Sequence, residues 1–370
     1  MQQLARLLVL SLGALLLCPH LKAQPSTNPS TLAFEALSRL KGIDLEKNPA
    51  VKSAVFKVLE QKRGTAGFVQ IVRELRLKDQ EEGLLEVVRT SPDFSAAADA
   101  MRLLLDANRP QLLENALSTT NAGAMILALG NTARKEIIPF LEPFVRNPQR
   151  DLSERKQAIE SLARIEEGCH RLLQIASEAK FDLAGHIGRV LQATRWEDIR
   201  SAGSKLAAPQ PGSSANEDLT IAQWALRHGD PGQGKQVFRR ETVGCIKCHI
   251  VSGEGVDFGP ALSEIGSKLG KDALYEAILN PSAGIAAGFE AWRIEMKDDS
   301  EVYGMIVSET SEELQVKSPG GIINHVTKSE IARRTQQKLS AMPAGLAQLM
   351  TSQDLVDLVE YLSTLKKPTP

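Results

Sequence analysis

Residues 244–250 read GCIKCHI, and this short stretch decides how the C-terminal part of the chain is interpreted. Cys245 and Cys248 are separated by two residues, and His249 follows the second cysteine directly. Four uses of such a pair are open: a zinc clamp, thiol–disulfide exchange, a simple disulfide, or covalent attachment of a haem. The compartment of the chain and the other ligands that it offers distinguish among them.

The N-terminus, MQQLARLLVLSLGALLLCPHLKA (residues 1–23), has the features of a secretory signal peptide. Arg6 gives the basic start, residues 7–17 form an apolar run too short to span a membrane comfortably, and Ala23 is a small residue at the cleavage point. Cys18 raises the alternative of a lipid anchor, but Leu17 is bulky where a lipoprotein signal requires a small residue. We expect a periplasmic or otherwise exported protein with no transmembrane segment after signal removal.

Composition sets further bounds. A chain of 370 residues with 42% hydrophobic and 24% charged residues suggests two or three globular domains. The formal net charge of −1 gives no excess of basic residues for nucleic acid, so we expect no nucleic-acid partner.

The remaining cysteines do not form a disulfide framework, because only Cys169, Cys245 and Cys248 follow the signal peptide. Cys169 lies in a helical pattern and is predicted to be a small buried hydrophobe. A structural zinc site needs four ligands, whereas this stretch offers at most three. A thioredoxin-like site would need a βαβ setting, and the flanks indicate helix and loop. The pattern C-x-x-C-H therefore favours covalent haem with His249 as iron ligand, and a Cys245–Cys248 disulfide stays open as the alternative.

Beyond the signal peptide, three segments are predicted along the chain. Residues 31–200 show apolar residues at helical spacing, and Leu129 and Leu162 lie at equivalent places in two helix–break–helix stretches 33 residues apart, as in a HEAT-type α-solenoid. Residues 201–218 are rich in Ser, Ala, Gly and Pro and indicate a linker. Residues 219–370 form the C-terminal domain. Within it, alternation over about 289–328 predicts an antiparallel β insertion of about four strands, before a final helix capped by Thr351 or Ser352.

The wider stretch GDPGQGKQVFRRETVGCIKCHIVSGEGVDFGPALSEIG (residues 229–266) resembles the N-terminal half of a class I cytochrome c. Gly234 and Phe238 match the helix that precedes the haem motif in that family. Gly259, Pro260 and Leu262 match the loop that follows it.

This resemblance implies specific roles. The carbonyl of Pro260 would accept the Nδ1 proton of His249 and fix the orientation of the ring. Near the end of the chain, Tyr361 would contact Gly234 and Phe238 where the terminal helices of such a domain cross.

The family also places a methionine before the C-terminal helix as the second axial ligand. The candidates are Met296, Met305, Met342 and Met350, with His325 in reserve. Met296 and Met305 lie in predicted strands, and Met350 directly precedes the last helix, so packing explains them. Met342 lies in irregular chain that Pro343 keeps out of a helix, and it is the predicted ligand. A thioether opposite histidine raises the reduction potential and favours electron transfer.

The segments CIKCH, GPALSEIG, ILNPSAGI, SAMPAGL and DLVDLVEYL, together with the strands between them, resemble the planctomycete-type haem-binding domain. This is a cytochrome c-like module with a β insertion, and the resemblance covers about residues 225–366. Members often carry HEAT-like repeats upstream. The fold class implied is mainly α: an N-terminal HEAT-like solenoid and a C-terminal cytochrome c-like domain with a small antiparallel β insertion.

The implied function is that of an exported monohaem c-type cytochrome, more an electron carrier than an enzyme, which receives electrons from a separate periplasmic dehydrogenase or other redox protein. Two alternatives stay open. One is a haem-based sensor or peroxidase-like enzyme with a labile sixth ligand. The other is a solenoid interaction protein whose haem is structural.

Overall fold

The structure is a computed structural model that describes residues 44–119, 122–207, 219–298 and 300–367. The predicted signal peptide, Cys18 included, and residues 208–218 of the predicted linker lie outside these ranges. The described chain is mainly helical and carries a small antiparallel sheet of five strands, as the sequence predicts in outline. No helix in the described ranges is long and apolar enough to cross a membrane.

The chain divides into two compact units, one that ends at Arg109 and one that begins at Pro110. This division falls within the predicted repeat region rather than at the predicted linker. In the first unit the described helices are α1 (Pro49–Gln61), α2 (Ala66–Leu75), α3 (Glu81–Thr90) and α4 (Phe94–Asp106). In the second unit they begin with α5 (Pro110–Leu117), α6 (Gly123–Thr132), α7 (Ile138–Arg146), α8 (Leu152–Leu162), α9 (Glu166–Ala176), α10 (Ala184–Gln192) and α11 (Glu197–Leu206).

The helix–break–helix pattern of the second unit follows from its sequence. Leu129 on α6 and Leu162 on α8, the equivalent positions of the two stretches, are both fully buried. At Gly130 a Cβ atom would lie 2.4 Å from the Oγ of Ser161, so a glycine is needed where α6 and α8 pack closest. Cys169 is fully buried, as predicted.

The predicted linker needs a correction. Helix α11 runs to Leu206, so residues 201–206 are helical and not linker. The small and polar residues of this segment misled the prediction. Gly203 is buried in α11 and would bring a Cβ within 2.9 Å of the carbonyl oxygen of Gly188 on α10, so the small residue serves helix packing.

Four further helices of the second unit frame the C-terminal part: α12 (Ile221–Ala225), α13 (Pro231–Arg239), α14 (Lys271–Leu279) and α15 (Ser352–Thr364). Helix α13 begins where the Asp230 carboxylate accepts the backbone N–H groups of Gly232 and Gln233, with Pro231 at the first helical position. Helix α15 begins with a capping box of Thr351 and Asp354, which confirms Thr351 as the cap.

Helices α13 and α15 cross at a glycine. A Cβ atom at Gly234 would lie 1.9 Å from the backbone oxygen of Asp357 and 2.7 Å from the Cβ of Tyr361. The rings of Phe238 and Tyr361 pack with their centroids 6.0 Å apart. The predicted contact of Tyr361 with Gly234 and Phe238 is therefore confirmed.

The strands between α14 and α15 form a sheet of order β4-β3-β2-β1-β5, with antiparallel neighbours throughout. They are β1 (Trp292–Met296), β2 (Glu301–Glu309), β3 (Glu313–Ser318), β4 (Ile322–Thr327) and β5 (Ile331–Gln336). The β insertion thus extends beyond the predicted limit of about residue 328 and has a fifth strand. The sequence IARRTQ did not predict β5, because most side chains of this strand are exposed and its apolar residues do not alternate with polar ones.

Within the second unit, helices of the predicted repeat region contact the C-terminal part directly. The Nζ atom of Lys247, inside the C-x-x-C-H motif, lies 3.1 Å from the carboxylate of Glu160 on α8. Arg195, just before α11, forms an ion pair with Glu301 on β2 and stacks on the ring of Tyr303, with its guanidinium carbon 4.2 Å from the ring centroid.

Candidate functional site

The motif C-x-x-C-H folds into one tight turn. Gly244 has a φ of +78°, which a glycine adopts without strain, and a 3₁₀ turn follows over Cys245–Lys247. The backbone N–H of His249 donates to the carbonyl oxygen of Cys245 at 3.0 Å. Both sulfur atoms and the imidazole are therefore carried by a single short turn directly after α13.

The loop that follows folds back over this turn. The backbone N–H groups of Phe258 and Gly259 both donate to the carbonyl oxygen of Cys248, at 3.1 and 2.6 Å. Leu262 donates its N–H to the carbonyl oxygen of Ile250 at 2.8 Å. These bonds bring the Gly-Pro pair of the loop against the side chain of His249.

The ring of His249 is held in one tautomer. Its Nδ1 atom lies 2.7 Å from the carbonyl oxygen of Pro260. Because a carbonyl can only accept, Nδ1 must carry the proton, and Nε2 keeps its lone pair. At Gly259 a Cβ atom would lie 2.5 Å from Cε1 of the ring, so a side chain there would displace the imidazole. The hydrogen bond that the resemblance predicts for Pro260 is thus present.

Burial favours the neutral forms of the two thiols and the imidazole of this turn. Burial raises the pKa of the Cys245 thiol to about 12, with a further contribution from Cys248, and burial also raises the pKa of Cys248. Burial lowers the pKa of His249, although the bond to Pro260 opposes this. Thiols with raised pKa values are poor nucleophiles, which weighs against thiol–disulfide catalysis. The neutral imidazole is the form that binds a metal.

The two cysteines are not joined to each other; both are free thiols and only partly buried. Cys245 packs against the core cluster that α13, α14 and α15 share. Other apolar side chains packed against this cluster also stay partly exposed, and they include Ile246, Leu262, Ile265, Leu279 and Met342. An apolar ring system that covered these side chains would complete the cluster.

The candidates for the sixth ligand of the iron lie in different surroundings. Met342 lies in irregular chain, as predicted, and is partly buried against the same cluster as Cys245. Its backbone N–H donates to the Oγ of Ser340 at 3.1 Å, and the N–H of Ser340 donates to the Oγ of Ser282 at 3.0 Å, so two serines hold the segment near α14. Met350 is fully buried in the cluster.

The other candidates belong to the sheet. Met296 packs in the sheet core and Met305 is buried on β2. His325, the reserve ligand, is exposed on β4, where its Nδ1 atom lies 2.8 Å from the Glu313 carboxylate across the strand pair. No contact in the described ranges brings His325 to His249.

The residues present fit a covalently bound haem. Two free thiols and an imidazole with an available Nε2 lie on one turn, and Cys245 of that turn packs against the same apolar cluster as the thioether of Met342. In the part of the chain that is described, no three His, Cys, Asp or Glu side chains form a group that could hold a metal ion. A haem iron does not need such a group, because the porphyrin supplies four of its ligands and the axial pair can be one histidine and one methionine.

Sequence reasoning missed two residues near this turn. Gly255 has a φ of +111°, and a Cβ there would lie 2.1 Å from the carbonyl oxygen of His249, so only glycine allows the loop to return. The second is Arg164, two residues beyond α8, whose positive charge lowers the pKa of the Cys248 thiol against the effect of burial. The glycine-rich sequence of the loop could have indicated Gly255. No pattern near Arg164 in the sequence indicates its position beside the motif.

No protein-family model matches the chain, and no curated protein matches it significantly. The C-x-x-C-H motif and the geometry of its turn are therefore the features that point to a function.

Proposed function

We propose that this protein is an exported monohaem c-type cytochrome that carries electrons, received from a separate periplasmic dehydrogenase or similar redox protein. Cys245 and Cys248 would form thioether bonds to the haem, and His249 and Met342 would be the axial ligands. The helices before the C-terminal part would form a HEAT-like scaffold.

The hydrogen bond between His249 Nδ1 and the carbonyl oxygen of Pro260 is the observation that carries the proposal. A histidine that ligates a metal through Nε2 usually donates its other ring proton to a carbonyl or carboxylate, which fixes the ring and raises its basicity. A disulfide-bearing loop would have no need for this arrangement, nor for the glycine that lies flat against the ring.

The chain's own residues would then perform three tasks. A bound haem supplies one-electron chemistry between iron(III) and iron(II). Pro260 and Gly259 hold the imidazole in place. The partly exposed apolar side chains, Leu262 and Ile265 among them, exclude water from one side of the site. Met342 offers a soft sulfur atom, which stabilises the reduced iron relative to the oxidised iron.

The decisive experiment is a pyridine haemochrome spectrum of the full chain, exported by a host with c-type haem maturation. We expect a c-type band that survives denaturation, and no such band in a Cys245→Ala, Cys248→Ala control. Wild-type protein without haem, from a host that matures a control cytochrome, would contradict the proposal.

A second test addresses the sixth ligand. Met342→Leu preserves size and apolarity but removes the sulfur, so the methionine-to-iron charge-transfer band of the oxidised protein should vanish and carbon monoxide should bind rapidly to the reduced protein. Met350→Leu is the matched control, since this methionine is buried in the same cluster, and the band should persist. If wild-type protein already binds carbon monoxide rapidly, a sensor or peroxidase-like function would replace electron transfer.

A further inference from the structure

Three parts of the second unit meet beside the C-x-x-C-H turn. The turn between β3 and β4, at Pro319–Gly321, lies against the loop after the motif: a Cβ at Gly321 would be 3.1 Å from Val256 and 3.4 Å from the carbonyl oxygen of Asp257. Lys317 on β3 forms an ion pair with Asp257 at 2.8 Å. The repeat helix α8 joins them through the contact of Glu160 with Lys247.

Arg164 lies at this junction and is held by neutral groups. Its Nη1 atom donates to the amide oxygen of Asn131 and, at 3.4 Å, to the carbonyl oxygen of Pro319. A Cβ at Gly320 would be 3.3 Å from the same nitrogen, and Gly320 has a φ of +89°, so a glycine leaves room for the guanidinium. Among the described residues, no carboxylate forms a salt bridge with Arg164; the nearby Glu160 is paired with Lys247.

Two sets of contacts place this guanidinium beside the motif. Arg164 lies four residues after Glu160, whose carboxylate meets Lys247 between the two cysteines, and its Nη1 atom contacts the Pro319–Gly321 turn that packs on Val256 and Asp257. Of these two cations, Lys247 is well exposed and ion-paired, so water and Glu160 screen it. Arg164 is partly buried, and burial lowers the pKa of its guanidinium while the charge of nearby Glu160 opposes that shift. An arginine side chain stays charged in a protein.

We propose that Arg164, a residue of the repeat region, sets the reduction potential of the haem held by Cys245 and Cys248, and keeps it high. The inference rests on the proposed function. A fixed positive charge near the iron disfavours the oxidised state, which carries one more positive charge than the reduced state, and a partly buried charge is weakly screened. The repeat region would thus be a component of the redox centre as well as a scaffold.

The test is potentiometric titration of the full-length holoprotein, with haem content measured first by pyridine haemochrome. Arg164→Gln removes the charge and keeps a hydrogen-bond donor. We expect the ratio of reduced to oxidised haem at a fixed potential to fall about tenfold, which for a one-electron couple is a drop of about 59 mV. Arg164→Lys should stay close to the wild type.

Two further variants make the test independent of damage to the fold. Asn131→Asp keeps the shape of Asn131 but sets a carboxylate against the guanidinium, so the potential should fall in the same direction as in Arg164→Gln. If Arg164→Gln yields no folded protein, the reduction potential of Asn131→Asp tests the proposal in its place. Lys205→Gln removes an exposed charge from α11 in the same region and should change nothing. Thermal unfolding by circular dichroism, recorded for each variant, separates a change in potential from a loss of structure.

The outcomes distinguish the two proposals. Covalent haem in all variants with an unchanged potential in both Arg164→Gln and Asn131→Asp would overturn the role of Arg164 and leave the cytochrome function intact. Wild-type protein without covalent haem would overturn both. An equal drop in Arg164→Gln and Arg164→Lys would show that packing, and not charge, is responsible, and would also overturn the inference.

Discussion

The sheet and the helical cluster of the C-terminal part differ in what lies at the edge of their cores. In the sheet, Ile294, Leu314 and Val316 are fully buried, and partly buried apolar side chains such as Trp292 and Ile306 pack against them. In the helical cluster, Leu355 and Val359 are equally buried, and Cys245 and Met342 are among the partly buried side chains that pack against it. Two residues proposed to hold the haem thus lie at the edge of the helical cluster, whereas the proposed site includes no residue of the sheet.

Removal of the proposed haem should have the largest effect and should act on one region only. In Cys245→Ala, Cys248→Ala protein, we expect amide protection in α13 and α15 to fall about a thousandfold relative to the wild type, because apolar surface is left in contact with water. Protection in β2 and β3 should change less than about twofold. Hydrogen exchange with mass spectrometry measures both regions in one sample. Equal losses in the two regions would refute the distinction between their cores.

The crossing of α13 and α15 should be the most sensitive point of the helical cluster itself. In Gly234→Ala the new methyl group would meet the backbone of Asp357, so we expect the free energy of unfolding to fall by about 3 kcal/mol. Gly284→Ala is the control, since a Cβ there has nothing within 4 Å, and it should change stability by less than about 0.5 kcal/mol. Urea titration measures both; similar values would mean that the helices do not cross this closely.

The sequence predicted the crossing of α13 and α15 better than it predicted the outer strand β5. The contact of Tyr361 with Gly234 and Phe238 was predicted from the resemblance to class I cytochromes c, and the close approach of the two helices requires a glycine at position 234. Strand β5 carries no such mark, because its exposed side chains have no preferred face and only its pairing with β1 defines it.

The contacts around the motif were the least predictable. Glu160, Arg164 and Asn131 lie far from Cys248 in sequence, and each is an ordinary polar residue of an amphipathic helix or its end. Their contacts arise from the packing of α8 and its neighbours against the C-terminal part, which no local pattern encodes. The spacing of Cys245, Cys248 and His249, by contrast, is local chemistry and was fully visible.

An ion pair joins the ends of the two crossing helices and should make the helical cluster sensitive to acid. The Arg240 guanidinium binds both oxygens of the Asp354 carboxylate, at 2.9 and 2.7 Å, and lowers the pKa of that carboxyl from 3.8 to about 2. A lowered folded-state pKa contributes stability above the unfolded-state pKa, and this stability is lost as pH falls from about 4 to about 2.

We expect this pair to contribute roughly 1 to 2 kcal/mol at pH 5, reduced from the full linkage value by partial exposure of the arginine. Asp354→Asn should lower stability at pH 5 and flatten its pH dependence between pH 5 and pH 2. Urea unfolding at a series of pH values measures this. A wild-type slope that persists in Asp354→Asn would assign the acid sensitivity to other carboxyl groups.

The smallest effect concerns the contact that joins the repeat region to the motif. Lys247 is exposed and Glu160 is partly exposed, so a double-mutant cycle with Lys247→Gln and Glu160→Gln should give a coupling energy of only about 0.5 kcal/mol, lower still in high salt. This coupling energy reports whether Lys247 and Glu160 lie close together in solution. The two residues are 87 positions apart, so any salt-dependent coupling requires α8 to lie against the C-x-x-C-H turn in solution. Coupling of zero at low salt would separate the repeat region from the turn and would leave the helical cluster, like the sheet, without a neighbour that acts on its charge.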